Sequence, residues 1–154
     1  MIAQELTNLN TAMKMIKAGL RPSLVHAATG LSKKRLRSMY RSEHGKAGVQ
    51  GRVSEYACNR LKTRNQVIEA TAFYQFYCVN GDSIFRVLDF EMVDEAYQTY
   101  MAVSPGPIDF TTAWYIARDL RENVLTPRRC QACRRTYLHD PRSDQMLRCP
   151  LCAE

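Results

Sequence analysis

CQACRRTYLHDPRSDQMLRCPLC, residues 130–152, sets two Cys-x-x-Cys turns on either side of a short basic loop. A Cys-x-x-Cys turn lets two thiolates converge on one ion, and two such turns supply the four tetrahedral ligands of a closed structural site. So short a segment cannot bury enough apolar surface to fold alone, and a metal would supply that free energy. Cys130, Cys133, Cys149 and Cys152 are therefore the expected ligands of one structural Zn(2+) per chain. TYL and QML fit short strands, with HDPRSD as the turn between them. Disulfides are the rival reading for a secreted protein, and a redox pair is the rival for a single Cys-x-x-Cys within a βαβ pattern, which is absent here. His139 offers an alternative nitrogen ligand, although four sulfurs already satisfy the ion. A site with four protein ligands has no open position for water, which argues against catalysis at this metal. Cys58 and Cys78 have no partner motif and are expected to pack as small apolar residues.

The composition of the whole chain is that of a globular protein: 154 residues, 45% hydrophobic and 24% charged. The charge balance is less ordinary, with 22 Lys+Arg against 15 Asp+Glu and a net charge of +7. Such an excess favours polyanionic partners, nucleic acid first, although a merely solubilising surface would look the same. The N-terminus carries Glu5 and no unbroken apolar run, unlike a signal peptide, and no stretch approaches the roughly 18–20 apolar residues of a membrane span. The expected location is cytoplasmic, where paired cysteines are usually metal ligands or redox centres.

Helical periodicity runs through most of the rest. Leu6, Leu9, Met13, Ile16 and Leu20 recur at three- and four-residue steps, predicting a helix from about residue 6 to 19. Pro22 to Thr29 fits a short second helix with proline in its first turn, ended by Gly30. Ser32 is the expected N-cap of a third helix, Lys33 to about His44. HGKAGVQG, residues 44–51, holds three of the seven glycines and reads as a connector and boundary. From about 53 to 123 the pattern is helical again, with Asp82 or Ser83, and Asp109, as expected caps. Phe73, Phe76, Tyr77, Phe85, Tyr97, Tyr100, Trp114 and Tyr115 fall at helical spacing, which suits a core or an interface better than a base-stacking surface. The predicted fold is mainly α: a helical domain over 1–126, and a small zinc-ribbon-like unit with four cysteines over 127–154.

PSLVHAATGLSKKRLRSMYR, residues 22–41, has the layout of a helix-turn-helix, the motif-like segment covering about 22–44. Val25, Leu31, Leu36 and Met39 are expected to pack inward. Ser32, Lys33, Lys34, Arg37, Ser38 and Arg41 are then the candidate DNA-binding residues, through phosphate contacts or a bidentate arginine on guanine. A solvated basic helix in an ordinary bundle is the plain alternative. One position is awkward: His26 stands where many such motifs place alanine so that the helices approach. Arg128, Arg129, Arg134 and Arg135 add a second basic region on the zinc unit, with Arg142 and Arg148 beside them.

The order TGLSKKRLRSMYRSEHG, a helical middle, AWYIARDLRENVLTPRRC and then the two cysteine pairs resembles the FlhC family, over roughly residues 10–152. The resemblance implies a subunit of the flagellar master transcriptional activator, or an FlhC-like activator of conjugative plasmids and mobile elements. It implies one zinc held by the four cysteines, and promoter DNA as double-stranded target. It further implies an FlhD-like partner in a heterohexamer of four FlhD-like chains and two of this one, and recruitment of RNA polymerase. Flagellar members usually run on past the last cysteine with a basic tail, whereas this sequence stops at Glu154, so no tail contact carries over. The expectation is a DNA-binding subunit of an activator of flagellar or conjugative-transfer genes. The alternative is a zinc-stabilised adaptor that binds proteins and does not touch DNA. An enzyme is not expected, because Gly-x-Ser-x-Gly, His-Glu-x-x-His and paired carboxylates are all missing.

Overall fold

Periodicity in the first fifty residues resolves into three helices: α1 (Ile2–Lys17), α2 (Pro22–Thr29) and α3 (Lys33–His44). The computed structural model describes residues 1–49, 51–53 and 56–152. Residue 50 of the predicted connector, 54 and 55 of the predicted helical stretch, and 153 and 154 of the predicted zinc unit lie outside the described residues. The chain divides into two compact units, Met1–Val53 and Ser54–Glu154.

In the first unit the buried stripe of α1 is Ala12, Met15 and Ile16, followed by Leu20. Leu6 and Met13 lie outside it, with Leu6 56% exposed. The predicted stripe is thus rotated along the helix, because Met15 and not Met13 shares a face with Ala12 and Ile16. Gly30 closes α2 in the left-handed region (φ 74°), its N–H donating to His26 O. Ser32 starts α3, its Oγ accepting the Arg35 N–H at 3.3 Å. Val25 and Leu36 are buried as expected, while Leu31 and Met39 are only half-buried and Tyr40 takes the inward place. His26 has a structural use: its Nδ1 lies 2.7 Å from Leu31 O and ties α2 to the turn. His44 Nε2 lies 2.7 Å from Ile16 O and fastens the end of α3 to α1.

The second unit is built on α4 (Arg64–Tyr77), α5 (Phe90–Val103) and α6 (Phe110–Arg121). A capping box opens α4: Thr63 Oγ1 accepts from Gln66 N while Gln66 Oε1 accepts from Thr63 N at 3.1 Å. Asp109 caps α6 as predicted. Asp82 and Ser83 do not start a helix. They lie in a 3-10 segment, Cys78–Phe85, whose turn ends where the Arg86 and Val87 N–H groups both bond to Ser83 O. Asp89 is the actual cap of α5, its Oδ1 accepting from Met92 N at 3.0 Å. The aromatic residues make the core: Phe73, Tyr77, Tyr97, Tyr100, Trp114 and Tyr115 are buried, and Phe76 and Phe85 half-buried. Buried tyrosine tips usually find a partner; of Tyr77, Tyr97 and Tyr100 the last two do so here, the Tyr77 hydroxyl being buried without one among the described residues. Tyr97 Oη donates to Ile108 O at 2.9 Å, and Tyr100 Oη donates to Glu69 at 2.5 Å while accepting from Ile108 N.

Behind α6 the chain forms a two-stranded antiparallel hairpin, β1 (Thr126–Arg129) with β2 (Thr136–His139), pairing Arg128 with Tyr137 and Arg129 with Thr136. The predicted pairing of TYL with QML is therefore corrected. TYL is indeed a strand, but its partner precedes the first cysteine pair, and residues 144–146 form a 3-10 turn. The reason is the knuckle itself: Cys130 N donates to Arg135 O and Arg134 N to Cys130 O, both at 2.9 Å, so the backbone on either side of the first Cys-x-x-Cys is already in register. Among the described residues no helix is long and apolar enough to cross a membrane.

Candidate functional site

The first knuckle forms the closed turn of the hairpin, between β1 and β2, where Arg134 takes a left-handed conformation (φ 62°) as the chain returns into β2. The second knuckle follows the 3-10 turn, whose Met146 is fully buried. Leu138, Met146 and Pro150 turn inward, and both β2 and the 3-10 turn pack on α4. Arg64, at the start of α4, donates from Nε to Pro150 O at 2.9 Å and from its Nη2 to Cys152 O at 2.6 Å. The second knuckle is thus held to the helical layer by an arginine 86 residues earlier.

The four ligand sulfurs of Cys130, Cys133, Cys149 and Cys152 all lie within 4.8 Å of one another. The close pairs cross between knuckles, Cys130 to Cys152 at 3.4 Å and Cys133 to Cys149 at 3.6 Å. Four thiolates about 2.3 Å from one ion would stand roughly 3.8 Å apart at the corners of a tetrahedron, so the donor set fits a metal ion. It does not fit disulfides, whose sulfurs lie about 2.05 Å apart, and all four cysteines are free. Backbone N–H groups of Cys133 and Ala132 and the Cys152 thiol converge on the Cys130 sulfur and hold its pKa down to about 6. Hydrogen bonding to Cys130 and Cys133 pushes Cys152 up to about 12. The cluster therefore loses its first proton easily and its last reluctantly. A divalent cation supplies the opposing charge that lets four thiolates stand together. His139 is buried in β2 and is not one of the clustered donors, so the sulfurs form the set without it.

Arg64→Ala removes both charged hydrogen bonds to the second knuckle. Outer-shell changes of this kind typically lower metal affinity by about 10–100-fold. The expected result is about a 10-fold loss in competition against a chromophoric chelator, with the helical circular-dichroism signal retained. An unchanged competition curve would show that the clamp does not lean on α4.

The predicted basic residues separate into distinct groups. Lys33, Lys34, Arg37 and Arg41 are exposed on α3, and among the described residues none has a carboxylate within ion-pair distance. Ser38 is exposed beside them, whereas Ser32 is engaged as the helix cap. Arg35, which was not singled out, points instead to Glu5 at 3.5 Å. On the hairpin Arg128, Arg129, Arg134 and Arg135 are exposed, with Arg129 Nε donating to Arg134 O at 3.1 Å. Arg148 is exposed too.

Arg142 does not belong with them. Its guanidinium grips Asp140 through Nε at 2.9 Å and Nη2 at 2.6 Å, and lies 3.6 Å from the centre of the Tyr56 ring. Asp140 is completely buried. Burial pushes its carboxyl up, but the hydrogen bonds and charge of Arg142 outweigh that and hold it below the usual range. The Cys58 thiol lies against Asp140, and burial together with that carboxylate pushes the thiol up. Cys58 is buried, as expected of a small packing residue, and its thiol is held protonated. Arg64, Asp140 and the true role of Arg142 were invisible in the linear pattern, because each acts on a residue or backbone atom without a motif.

Fold and site together define a class: a helical protein whose C-terminal hairpin carries a four-cysteine clamp able to hold a metal ion. The family model of the flagellar transcriptional activator (FlhC) matches residues 1–154. The flagellar transcriptional regulator FlhC of Yersinia enterocolitica is 27% identical over 160 aligned positions, covering 98% of this chain and 81% of that protein. The Xenorhabdus nematophila regulator is 28% identical, covering 98% and 81% of the two chains. The Proteus mirabilis regulator is 26% identical with the same coverage. The chain belongs to the FlhC family of flagellar transcriptional activators, which are regulators and not enzymes.

Proposed function

We propose that this chain is the DNA-binding subunit of a bacterial transcriptional activator complex, acting on promoters of flagellar or conjugative-transfer genes. In this reading α2 and α3 serve as a helix-turn-helix, and Lys33, Lys34, Arg37, Ser38 and Arg41 meet the duplex. The clamp holds one structural zinc ion through Cys130, Cys133, Cys149 and Cys152, and so folds the surface that carries Arg128, Arg129, Arg134 and Arg135. Functionally the chain divides near residue 126, the helical part and the zinc unit having separate tasks. The complex would contain four FlhD-like chains and two of this one, recruit RNA polymerase, and work in the cytoplasm.

One observation carries the reading: in a family of transcriptional activators, α3 presents a row of cations that nothing in the described chain neutralises. A row of exposed lysine and arginine without acidic partners repels itself, and a polyanion removes that repulsion. The test is a gel-shift titration of the full chain, with its FlhD-like partner, on a promoter duplex between 50 and 200 mM salt. Neutralising about four phosphates implies a log–log slope near −3.6, and so roughly a 100-fold loss of affinity across that range. A flat salt response would favour the adaptor reading.

A further inference from the structure

We propose that a cleft in the first unit, between the start of α2, the outer row of α3 and the connector that follows it, seats a single phosphate ester, and that its occupant is a backbone phosphodiester of duplex DNA. The choice of DNA as the source rests on the function proposed above; the cleft's preference for phosphate does not.

The cleft has a volume of about 150 Å³ and takes its charge from Arg21, Lys33, Arg37 and Arg41. Among the described residues no carboxylate lines it. Lys33, Arg37 and Arg41 follow one another at four-residue steps, so they form one row along α3. Arg21 comes from the other helix, where it stands as the N-cap of α2. Its guanidinium reaches the carbonyls of Val49 and Gly51 through long bonds of 3.4 and 3.3 Å, and among the described residues its charge has no carboxylate partner. No side chain caps the first turn of α2, and Ser23 of that turn lines the cleft. The positive end of the α2 dipole adds to the same potential.

At Gly48 the connector packs closely on Pro22 and Tyr40, so that a Cβ there would stand 3.1 Å from Pro22 Cδ and 3.5 Å from Tyr40 Cε1. The cleft is also too small for an organic effector, since pockets for drug-sized molecules run to roughly 300–1,000 Å³. What remains is a compact anion held by several donors at once, the chemistry of a phosphate group.

This assignment changes the task of the α3 arginines. A cation committed to a phosphate positions the protein but carries no sequence information, whereas base edges are read by other side chains. Lys34 and Ser38, which share a second, shallower groove with Arg37, Arg41 and Ser42, are left to face the bases. Arg21 joins the contact set although it precedes the second helix.

The experiment compares Arg41→Ala and Lys33→Ala with the wild type, as full chains with the FlhD-like partner, on a promoter duplex and on a scrambled duplex of equal length. The expected result is that both duplexes weaken by the same factor, several-fold at moderate salt, and that the log–log salt slope shrinks by about one per variant. Loss confined to the promoter, with the slope unchanged, would overturn the proposal and make these residues base readers. In a second arm the free chain is titrated with inorganic phosphate against a chloride control, following the Ser23 and Gly48 amide signals by NMR. Saturable shifts in the wild type that disappear in Arg41→Ala are expected. If the wild type binds no duplex at all, the proposed function falls, and the phosphate titration alone decides the seat. Shifts would then assign the cleft to a free phosphorylated ligand, and their absence would overturn the seat as well.

Discussion

Replacing Cys133 and Cys149 together by serine is expected to abolish metal retention and unravel residues 126–152. Zinc content, measured on the purified chain, should fall from about one ion to near zero. The effect is large because the hairpin has little else to hold it. Its two strands are four residues each, and among the described residues of the segment the buried apolar side chains are Tyr137, Leu138, Met146 and Pro150, with His139 and Asp140 the buried polar ones. Structural zinc sites contribute roughly 10–16 kcal/mol of apparent binding free energy in peptide systems, and that energy is folding energy when no site exists in the unfolded chain. Even about 3 kcal/mol of it, lost from a unit of this size, lowers the thermal midpoint by roughly 15 °C at about 5 °C per kcal/mol. The first unit, Met1–Val53, makes its own core and should keep its amide spectrum. Because a double variant can fail for other reasons, the wild type treated with a strong chelator provides the second measurement. The same transition should appear on chelation and reverse when Zn(2+) is returned. A wild-type chain that purifies without metal and ignores the chelator would refute the clamp.

The parts of this molecule that were legible in its sequence are those set by local chemistry. Cys-x-x-Cys spacing is a covalent fact, so the four sulfurs could be grouped from the sequence, and they meet within 4.8 Å, although the closest pairs cross between the two turns. Ser32, Gly30, Pro22 and Asp109 mark helix ends through bonds that span only a few residues, and each stands where it was expected. The errors follow the same logic. Strand β1, Thr-Pro-Arg-Arg, has a proline and two charged residues and none of the β-branched run that marks a strand. It pairs because the knuckle after it fixes the register. Helix α5 begins later than its apolar pattern suggested, because a 3-10 segment buries Ile84 without continuing the α-helix. In α1 the periodicity was real, but two adjacent faces are apolar and only packing selects one. Among the site residues, Arg64 and Arg21 were not legible at all, since both act on backbone carbonyls distant in sequence, and a carbonyl has no letter in the code.

Arg142→Ala is expected to destabilise the second unit by about 3 kcal/mol, more than Asp140→Asn does. The two partners are not equivalent. Asp140 has no exposed surface, whereas the Arg142 side chain is 36% exposed. Taking the arginine away leaves a fully buried carboxylate with one backbone N–H, that of residue 142 itself, as its remaining donor from this loop. Breaking a buried pair from one side typically costs about 3–5 kcal/mol, and the partial exposure of this pair places it at the low end. The same change strips the guanidinium from the face of Tyr56, worth roughly 0.5–1 kcal/mol at such sites. Asp140→Asn instead leaves a neutral amide whose oxygen still accepts the residue 142 N–H, and the freed guanidinium can turn to water, so about 1–2 kcal/mol is expected. The sign with pH is fixed by the low carboxyl pKa: its stabilisation is complete above the unfolded value of about 4 and is lost as the pH falls through the folded one. Urea unfolding at pH 7 with zinc in excess therefore sees the full effect. A smaller loss for Arg142→Ala than for Asp140→Asn would show that the pair is a surface contact. The distinction reaches function, because an arginine locked on Asp140 is withdrawn from any polyanion. Once folded and loaded with metal, Arg142→Ala should bind duplex DNA with wild-type affinity and an unchanged salt slope. Arg128→Ala, on the same hairpin but with its charge exposed, should lose roughly one unit of that slope.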